Sequence, residues 1–403
     1  MKISAVRTHV LLDPGYEADA TSSAQDDIVV EVETDEGLVG VGESDVNAWV
    51  ARACIEAPGT HTMDQGLSRV LIGLDPLDPV RLWERAYQAT AMTGRRGALV
   101  HALGALDMAI WDLAAKARGV PLWRLLGEPA HEALTPYASL LPHERTLDAF
   151  QEAMVAQAVW ARDRGFRAVK LELPFSGPYV STGLAVGDAA MGDTIAAVRR
   201  AVGGDMALMV DAVYAWRSAE QALAVIETWA DADPFFVETP LWPDDLEGYR
   251  ELSRRSPVPI ASGEWLSTAH EFEDLLERGQ VAVAQPDVGR VGGITEARKV
   301  CALAHRRGRL VVPHAWKTGI TIAATAHLNM VTGNMPYFEY VPEEFAESRL
   351  RRELLLTGPR VERGRLDLPE VPGLGVELDR ERLAEFEAAA DRALVDSRGR
   401  ARP

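Results

Sequence analysis

The spacing of apolar residues changes character twice along the chain. Over the first 44 residues it alternates, as in Ile28 to Val32, and a Thr34-Asp35-Glu36-Gly37 turn leads into Leu38-Val39-Gly40-Val41. That pattern predicts a three-stranded antiparallel meander. From Asp78 to Arg118 the period becomes helical, and GALVHALGALDMAIWDLAAKARG is apolar on most of its circumference before Gly119-Val120-Pro121 stops it. A helix without a polar face belongs inside a fold, so this one is expected to be buried on several sides.

From Thr135 the second change sets in: short apolar runs alternate with amphipathic stretches, the rhythm of a parallel βα fold. The predicted strands end at Ser139, Glu172, Asp211, Glu238, Gly263, Gln285, His314 and Glu339. Eight strands at this spacing, none followed by a phosphate-binding GxGxxG, suit a TIM-type barrel better than a doubly wound sheet. Pro174 to Gly192, rich in small residues, reads as an extended loop over the barrel mouth. Beyond Pro342 the chain becomes charged, passes through Pro372-Gly373-Leu374-Gly375, and ends in a polar helix from Asp379 to about Ala393.

Candidate chemistry lies at the strand ends. Lys170 and Glu172 stand in RAVKLEL, Asp211 in ALMVDAV, Glu238 in PFFVETP, Glu264 in PIASGEW, Asp287 in VAQPDVG, His314 in LVVPHAW and Glu339 in YFEY. The carboxyl ends of the strands form the catalytic face of such barrels. Three carboxylates, Asp211, Glu238 and Glu264, converging from adjacent strands would repel one another unless a cation neutralised them, and an oxygen-only set favours Mg2+ over zinc. Strand alternation puts Lys170 and Glu172 on one face and Val169, Leu171 and Leu173 on the other, so the two ionisable residues are expected to point into the barrel. Asp287, one strand before His314, could accept Nδ1–H and hold the ring for proton transfer. A divalent cation, a cationic donor, a base and an acid near a carboxylate oxygen are the parts needed to remove a proton beside a carboxylate through an enediolate. Mg2+, Lys170, the His314/Asp287 dyad and Glu339 could supply them in that order.

Composition narrows the partners. Lys plus Arg number 42 against 60 Asp plus Glu, a net charge of −18, which disfavours nucleic acid. Only five of the basic residues are lysine, which singles out Lys170 in its apolar strand. Two cysteines, Cys54 and Cys301, cannot build a zinc cluster or a disulfide framework and fit a reducing cytoplasm. The N-terminus MKISAVRTHVLL has no charged leader ahead of a long apolar run, so secretion and membrane insertion are not expected.

In ALDMAIWDLAAKARGVPLWRLLG, GFRAVKLEL, the Asp/Glu/Glu series, PDVGRVGGIT, the His of VPHAW and the closing PGLGVEL, the chain resembles the mandelate racemase subgroup of the enolase superfamily. The resemblance implies an α+β capping domain over residues 1–130, a modified (β/α)7β barrel over 131–345, and a segment, 346–403, returning to the cap. It further implies Asp211, Glu238 and Glu264 as Mg2+ ligands, the His314/Asp287 dyad as general base or acid, Glu339 as partner of the substrate carboxylate, capping loops at 13–25 and 44–66, and a homo-oligomer. Two positions depart from the pattern. Racemases of the subgroup carry Lys-x-Lys where this chain has Lys170-Leu171-Glu172, and many relatives have Asp-x-Asn where it has Asp211-Ala212-Val213. One base remains intact, which suits dehydration of an acid sugar to a 2-keto-3-deoxy acid, with His314 or Glu172 assisting loss of hydroxide. Epimerisation, racemisation or lactone cycloisomerisation through the same enediolate, and a catalytically silent carboxylate binder, are the alternatives. An amidohydrolase is excluded by the lack of His-x-His on the first strand.

Overall fold

The computed structural model describes residues 1–17, 22–180 and 183–400. The chain opens with the expected meander: β1 (Ile3–Leu12), β2 (Asp26–Thr34) and β3 (Val39–Ser44) pair antiparallel in sequence order. Gly37, at φ 84°, provides the left-handed residue that closes the β2–β3 turn. The helices α1 (Ala48–Glu56), α2 (Leu67–Leu71), α3 (Pro79–Ala89), α4 (Ala98–Arg118) and α5 (Leu122–Leu126) follow. The single helical period expected from Asp78 to Arg118 is therefore two helices. The break spans Thr90 to Gly97, where Gly97 adopts φ 62°, a conformation that cannot continue a right-handed helix. The predicted capping loop at 44–66 likewise contains a helix, α1, which Asn47 caps by accepting from the Val50 N–H. Of the loop expected at 13–25, residues 18–21 lie outside the described residues.

Helix α4 joins the two halves of the molecule. One flank packs on the meander so closely that a Cβ at Gly42 would lie 2.1 Å from the Ala105 carbonyl oxygen, and one at Gly40 would lie 2.0 Å from that of Ala109. The other flank, through Met108, Trp111 and Ala115, belongs to the barrel's outer core. The helix is long and apolar enough to cross a membrane, but 89% of its most apolar window is buried inside the protein. Its two buried acids are tethers. Asp112 accepts from Val41 N–H at 3.0 Å, from Lys116 Nζ at 2.6 Å and from Leu374 N–H at 2.8 Å, which fastens the PGLG turn to the meander. Asp107 accepts from the N–H and hydroxyl of Thr295 in the barrel at 2.9 and 2.6 Å.

The barrel strands are β4 (Pro136–Leu140), β5 (Ala168–Glu172), β6 (Ala207–Asp211), β7 (Pro234–Glu238), β8 (Ile260–Ser262), β9 (Val283–Ala284), β10 (Leu310–Val311) and β11 (Phe338–Tyr340). Seven helices alternate with them: α6 (Leu147–Asp163), α7 (Ala189–Val202), α8 (Ala219–Ile226), α9 (Leu246–Arg255), α10 (Thr268–Asp274), α11 (Gly293–Arg306) and α12 (Gly319–Met330). All neighbouring pairs are parallel, and β11 returns to pair with β4. The sheet curls until its edges meet: Glu339 N–H donates to Pro313 O at 3.3 Å, and Val311 N–H to Asn334 O at 2.9 Å. Strands β9 and β10 stop short of the predicted Gln285 and His314 because Pro286 and Pro313 have no N–H to continue a ladder. The loop expected over the mouth extends to α7, which begins at Ala189; its residues 181–182 lie outside the described residues.

Alternation along β5 is as predicted. Ala168 joins an interior cluster with Tyr137, Met209, Phe236 and Val283, while Val169, Leu171 and Leu173 face the helices. The end of the chain, after α13 (Arg349–Glu353), adds β12 (Leu355–Thr357), the β13 (Val361–Glu362) and β14 (Arg365–Leu366) hairpin, β15 (Glu377–Leu378) and α14 (Arg380–Arg400). This last helix lies on β1: Ala389 and Ala390 enter the meander's core, Glu387 binds His9 at 2.8 Å, and Arg380 binds Glu31 at 2.6 Å.

Candidate active site

Register places the acids side by side. Glu172 lies opposite Asp211, and Asp211 opposite Glu238, across β5, β6 and β7. Glu264 follows two residues after β8, where Gly263 at φ 125° turns the chain. Asp287 and His314 follow the prolines that end β9 and β10, and Glu339 lies within β11. Each of these groups except Glu172 is buried, and Glu172 is half-buried.

Lys170 sits at the centre of the acids. Its Nζ is 2.8 Å from Glu339 Oε1, 3.1 Å from Glu238 Oε1 and 3.8 Å from Asp211 Oδ2, and lies over the Tyr137 ring at 5.7 Å. The Glu339 contact is ionic without good hydrogen-bond angles, since Glu339 Oε1 has no hydrogen-bond partner. Burial opposes the ammonium's charge, but Glu238 and Glu339 outweigh it and raise the Lys170 pKa well above its ordinary value. Glu172 itself is pushed well up, first by burial and then by Asp211 across the ladder.

The predicted dyad is assembled. His314 Nδ1 is 2.5 Å from Asp287 Oδ2, and Asp287 Oδ1 accepts from Gly289 N–H at 2.6 Å. That leaves His314 Nε2 facing the site, 3.2 Å from Glu264 Oε2 and 3.9 Å from Glu339 Oε2. Burial disfavours the imidazolium, yet Glu339, Glu264 and the bond to Asp287 overcome it and push the His314 pKa up to about 9. Glu339 moves the other way. Burial would raise its carboxyl, but Lys170 and His314 draw it down to about 2, and Ala315 N–H donates to it at 2.8 Å. The free site therefore holds Glu339 as an anion, whereas the sequence reading cast it as an acid.

Asp211, Glu238 and Glu264 are individually poised for a cation without being drawn into one compact group. Asp211 accepts from Thr239 Oγ1 at 2.7 Å and Val213 N–H at 2.9 Å, and Glu264 from the Tyr214 hydroxyl at 2.7 Å. Glu238 Oε2 is buried with no partner at all. Burial, with Asp211 and Glu339 adding to it and Lys170 opposing, raises Glu238 to about 8. An orphaned buried carboxylate oxygen beside two more acids is a donor set that fits a divalent cation bound through oxygen. Among the described residues, the metal-binding side chains whose ligating atoms lie within 4.8 Å of one another are Asp45, Asp287 and His314, which brings in a residue of the meander that the sequence did not single out.

Three other groups were missed. Arg290 clamps the two halves together, with Nη2 2.6 Å from Asp45 Oδ2 and Nη1 3.4 Å from Glu264 Oε2. It is the lone charge between Asp287 and Glu296, an isolation that could have drawn attention to it. Lys317 binds Asp26 and Asp45 at 3.2 and 3.4 Å. Tyr214 reaches Glu264 because Val213 and Tyr214 hold φ of 50° and 58°, strained for any residue with a Cβ and most of all for β-branched Val. Where many relatives have asparagine at position 213, this chain has Val213, whose N–H donates to Asp211, and the next residue brings a hydroxyl to Glu264.

Residues 2–127 match the family described as mandelate racemase/muconate lactonizing enzyme, N-terminal domain, and residues 153–382 match the enolase C-terminal domain-like family. The chain belongs to the mandelate racemase/muconate lactonizing enzyme family. It is 32% identical over 401 residues to D-galactarolactone cycloisomerase of Agrobacterium fabrum, covering 96% of this chain and 99% of that one. It is 33% identical over 359 residues to L-rhamnonate dehydratase of Saccharopolyspora erythraea, covering 88% and 83%. Among solved structures, a racemase from Streptomyces coelicolor A3(2) with bound magnesium superposes with a TM-score of 0.80 at 26% identity, over 95% of this chain and 99% of that one. The 3,6-anhydro-D-galactonate cycloisomerase of Zobellia galactanivorans superposes at 0.82 with 28% identity, over 96% and 99%.

Proposed function

We propose that the protein dehydrates an acid sugar to a 2-keto-3-deoxy acid by abstracting the proton beside the carboxylate. The observation that carries this reading is the His314–Asp287 pair at 2.5 Å, with a carboxylic residue, Glu172, at the sequence position where a two-base racemase would have a second lysine. Asp287 fixes the His314 tautomer through the 2.5 Å contact, so Nε2 is the atom that takes the proton. Lys170, kept charged by its carboxylates, orients the substrate carboxylate and balances the negative charge that builds there. Glu172, which burial and Asp211 favour as the neutral acid, can donate a proton to the departing hydroxyl. Asp211, Glu238 and Glu264 would hold Mg2+, whose positive charge supplies the remaining stabilisation of an enediolate and offsets the carboxylates that hold His314 protonated.

A second reading, lactone cycloisomerisation, is favoured by the similarity to D-galactarolactone cycloisomerase. It shares the first step and differs in the fate of the enediolate. Incubation with acid sugars and their lactones in D2O separates the two: a 2-keto product trapped by semicarbazide supports dehydration, and lactone opening or α-deuteration without loss of water supports the rival. In either case His314→Asn should abolish turnover while Mg2+ binding, read by calorimetry, persists. Full activity of that variant would remove His314 as the base.

A further inference from the structure

A cavity of about 240 Å³ opens where the end of β3 meets the loops after β8 and β9, with Asp45, His101, Trp265, Arg290 and Lys317 in its wall. It adjoins the reacting groups, because an Asp45 oxygen lies within 4.8 Å of the ligating atoms of Asp287 and His314. A substrate whose α-carbon meets His314 would extend its far carbons into this space.

The wall's charges are already matched among the described residues. Arg290 is held by Asp45 at 2.6 Å and Glu264 at 3.4 Å, and Lys317 by Asp26 at 3.2 Å and Asp45 at 3.4 Å. Lys317 also donates to the carbonyls of Ser23 and Asp26. A second carboxylate entering here would have to break a buried ion pair, which leaves one charge uncompensated. A hydroxyl meets no such obstacle. The Ser267 hydroxyl oxygen accepts from Gly97 N–H at 2.9 Å and lies 3.2 Å from His101 Nε2, so that ring nitrogen is already engaged. His101 Nδ1 is buried without a partner. Burial, reinforced by Arg290, lowers the His101 pKa to about 4 and keeps the ring neutral, so Nδ1 can pair with a hydroxyl, which both donates and accepts. Trp265, stacked on Tyr214 at 4.1 Å, adds a rigid aromatic surface suited to the C–H side of a sugar chain.

We propose that this cavity receives the uncharged polyol end of a mono-acid sugar, with His101 Nδ1 hydrogen-bonded to one of its hydroxyls, so that the substrate is an aldonate rather than an aldarate. The inference rests on the acid-sugar reading above. The full-length enzyme with Mg2+ is assayed against pairs of aldonic and aldaric acids of matched configuration, following both α-proton exchange in D2O and 2-keto product. Aldonates should be favoured in kcat/KM by about a hundredfold, the scale of exposing one buried charge. Equal or better use of the diacids overturns the inference while leaving the acid-sugar chemistry intact; exchange with neither class overturns both. His101→Leu should raise KM for the aldonate about tenfold, the worth of one hydrogen bond, with kcat retained. An unchanged KM removes His101 from the subsite, and if the variant does not fold, the paired-substrate comparison on the parent enzyme decides alone.

Discussion

Replacing Lys170 by Met keeps most of the side chain's volume and deletes its charge. The ammonium stands 2.8 Å from Glu339 and 3.1 Å from Glu238, so at an effective dielectric of about 20 each contact contributes about 5 to 6 kcal/mol of attraction. Desolvation of the buried ammonium offsets most of this, but removing one partner strands the carboxylates, and the net loss is expected at about 3 to 5 kcal/mol. The loss should depend on pH. Glu238 titrates in the folded protein near 8, above its ordinary value, so its contribution to stability is complete below that ordinary value and fades as pH rises through about 8. Without Lys170, Glu238 and Glu339 must take up protons to be tolerated. The deficit should therefore be largest above about pH 8 and shrink toward about pH 5, where protonation replaces the missing cation. Urea midpoints of parent and variant, in chelator at both pH values, provide the test. Equal midpoints at alkaline pH, or the same deficit at both, would show that Lys170 does not neutralise this cluster.

Other outcomes follow from single contacts. Glu172→Lys should restore the two-base pattern and give new α-epimerisation of an acid sugar, read as deuterium appearing in both epimers in D2O; exchange confined to one epimer would show that the residue is not near the second face. Gly42→Ala would set a Cβ 2.1 Å from a backbone oxygen of α4, and overpacking of this kind should lower stability by about 3 kcal/mol in denaturant melts. His327 is buried, accepting from Trp123 N–H at 3.1 Å and meeting Leu374 O at 3.2 Å, and burial lowers its pKa to about 4. A histidine depressed in the folded state contributes stability that is lost as pH falls from about 6.5 toward 4, here about 3 kcal/mol, and His327→Gln should flatten the acid limb of a Tm-against-pH curve.

Much of the site was legible because barrel chemistry is written at regular intervals. A strand of fixed length brings its last residue to the same rim, so the spacing of Asp211, Glu238 and Glu264 along the chain is already their adjacency in space. Alternation likewise determined that Lys170 faces inward, since period two admits only two faces and the apolar trio takes the outer one. The protonation of Glu339 was not legible. It depends on a lysine 169 positions earlier in the chain lying 2.8 Å away, a distance that no local pattern encodes.

By itself the sequence determined the meander, the βα rhythm, the buried α4 and the order of ionisable groups around the barrel, because each follows from local periodicity or from proline and glycine at strand and helix ends. Only the tertiary structure decided which charges neutralise which. Asp45, Arg290, Lys317 and Tyr214 join the site from a hairpin end, a loop, a turn before a helix and a strained bend, none of which has a period to betray it. Electrostatic energy depends on separations of a few ångströms, and those separations exist only once the cap has closed on the barrel.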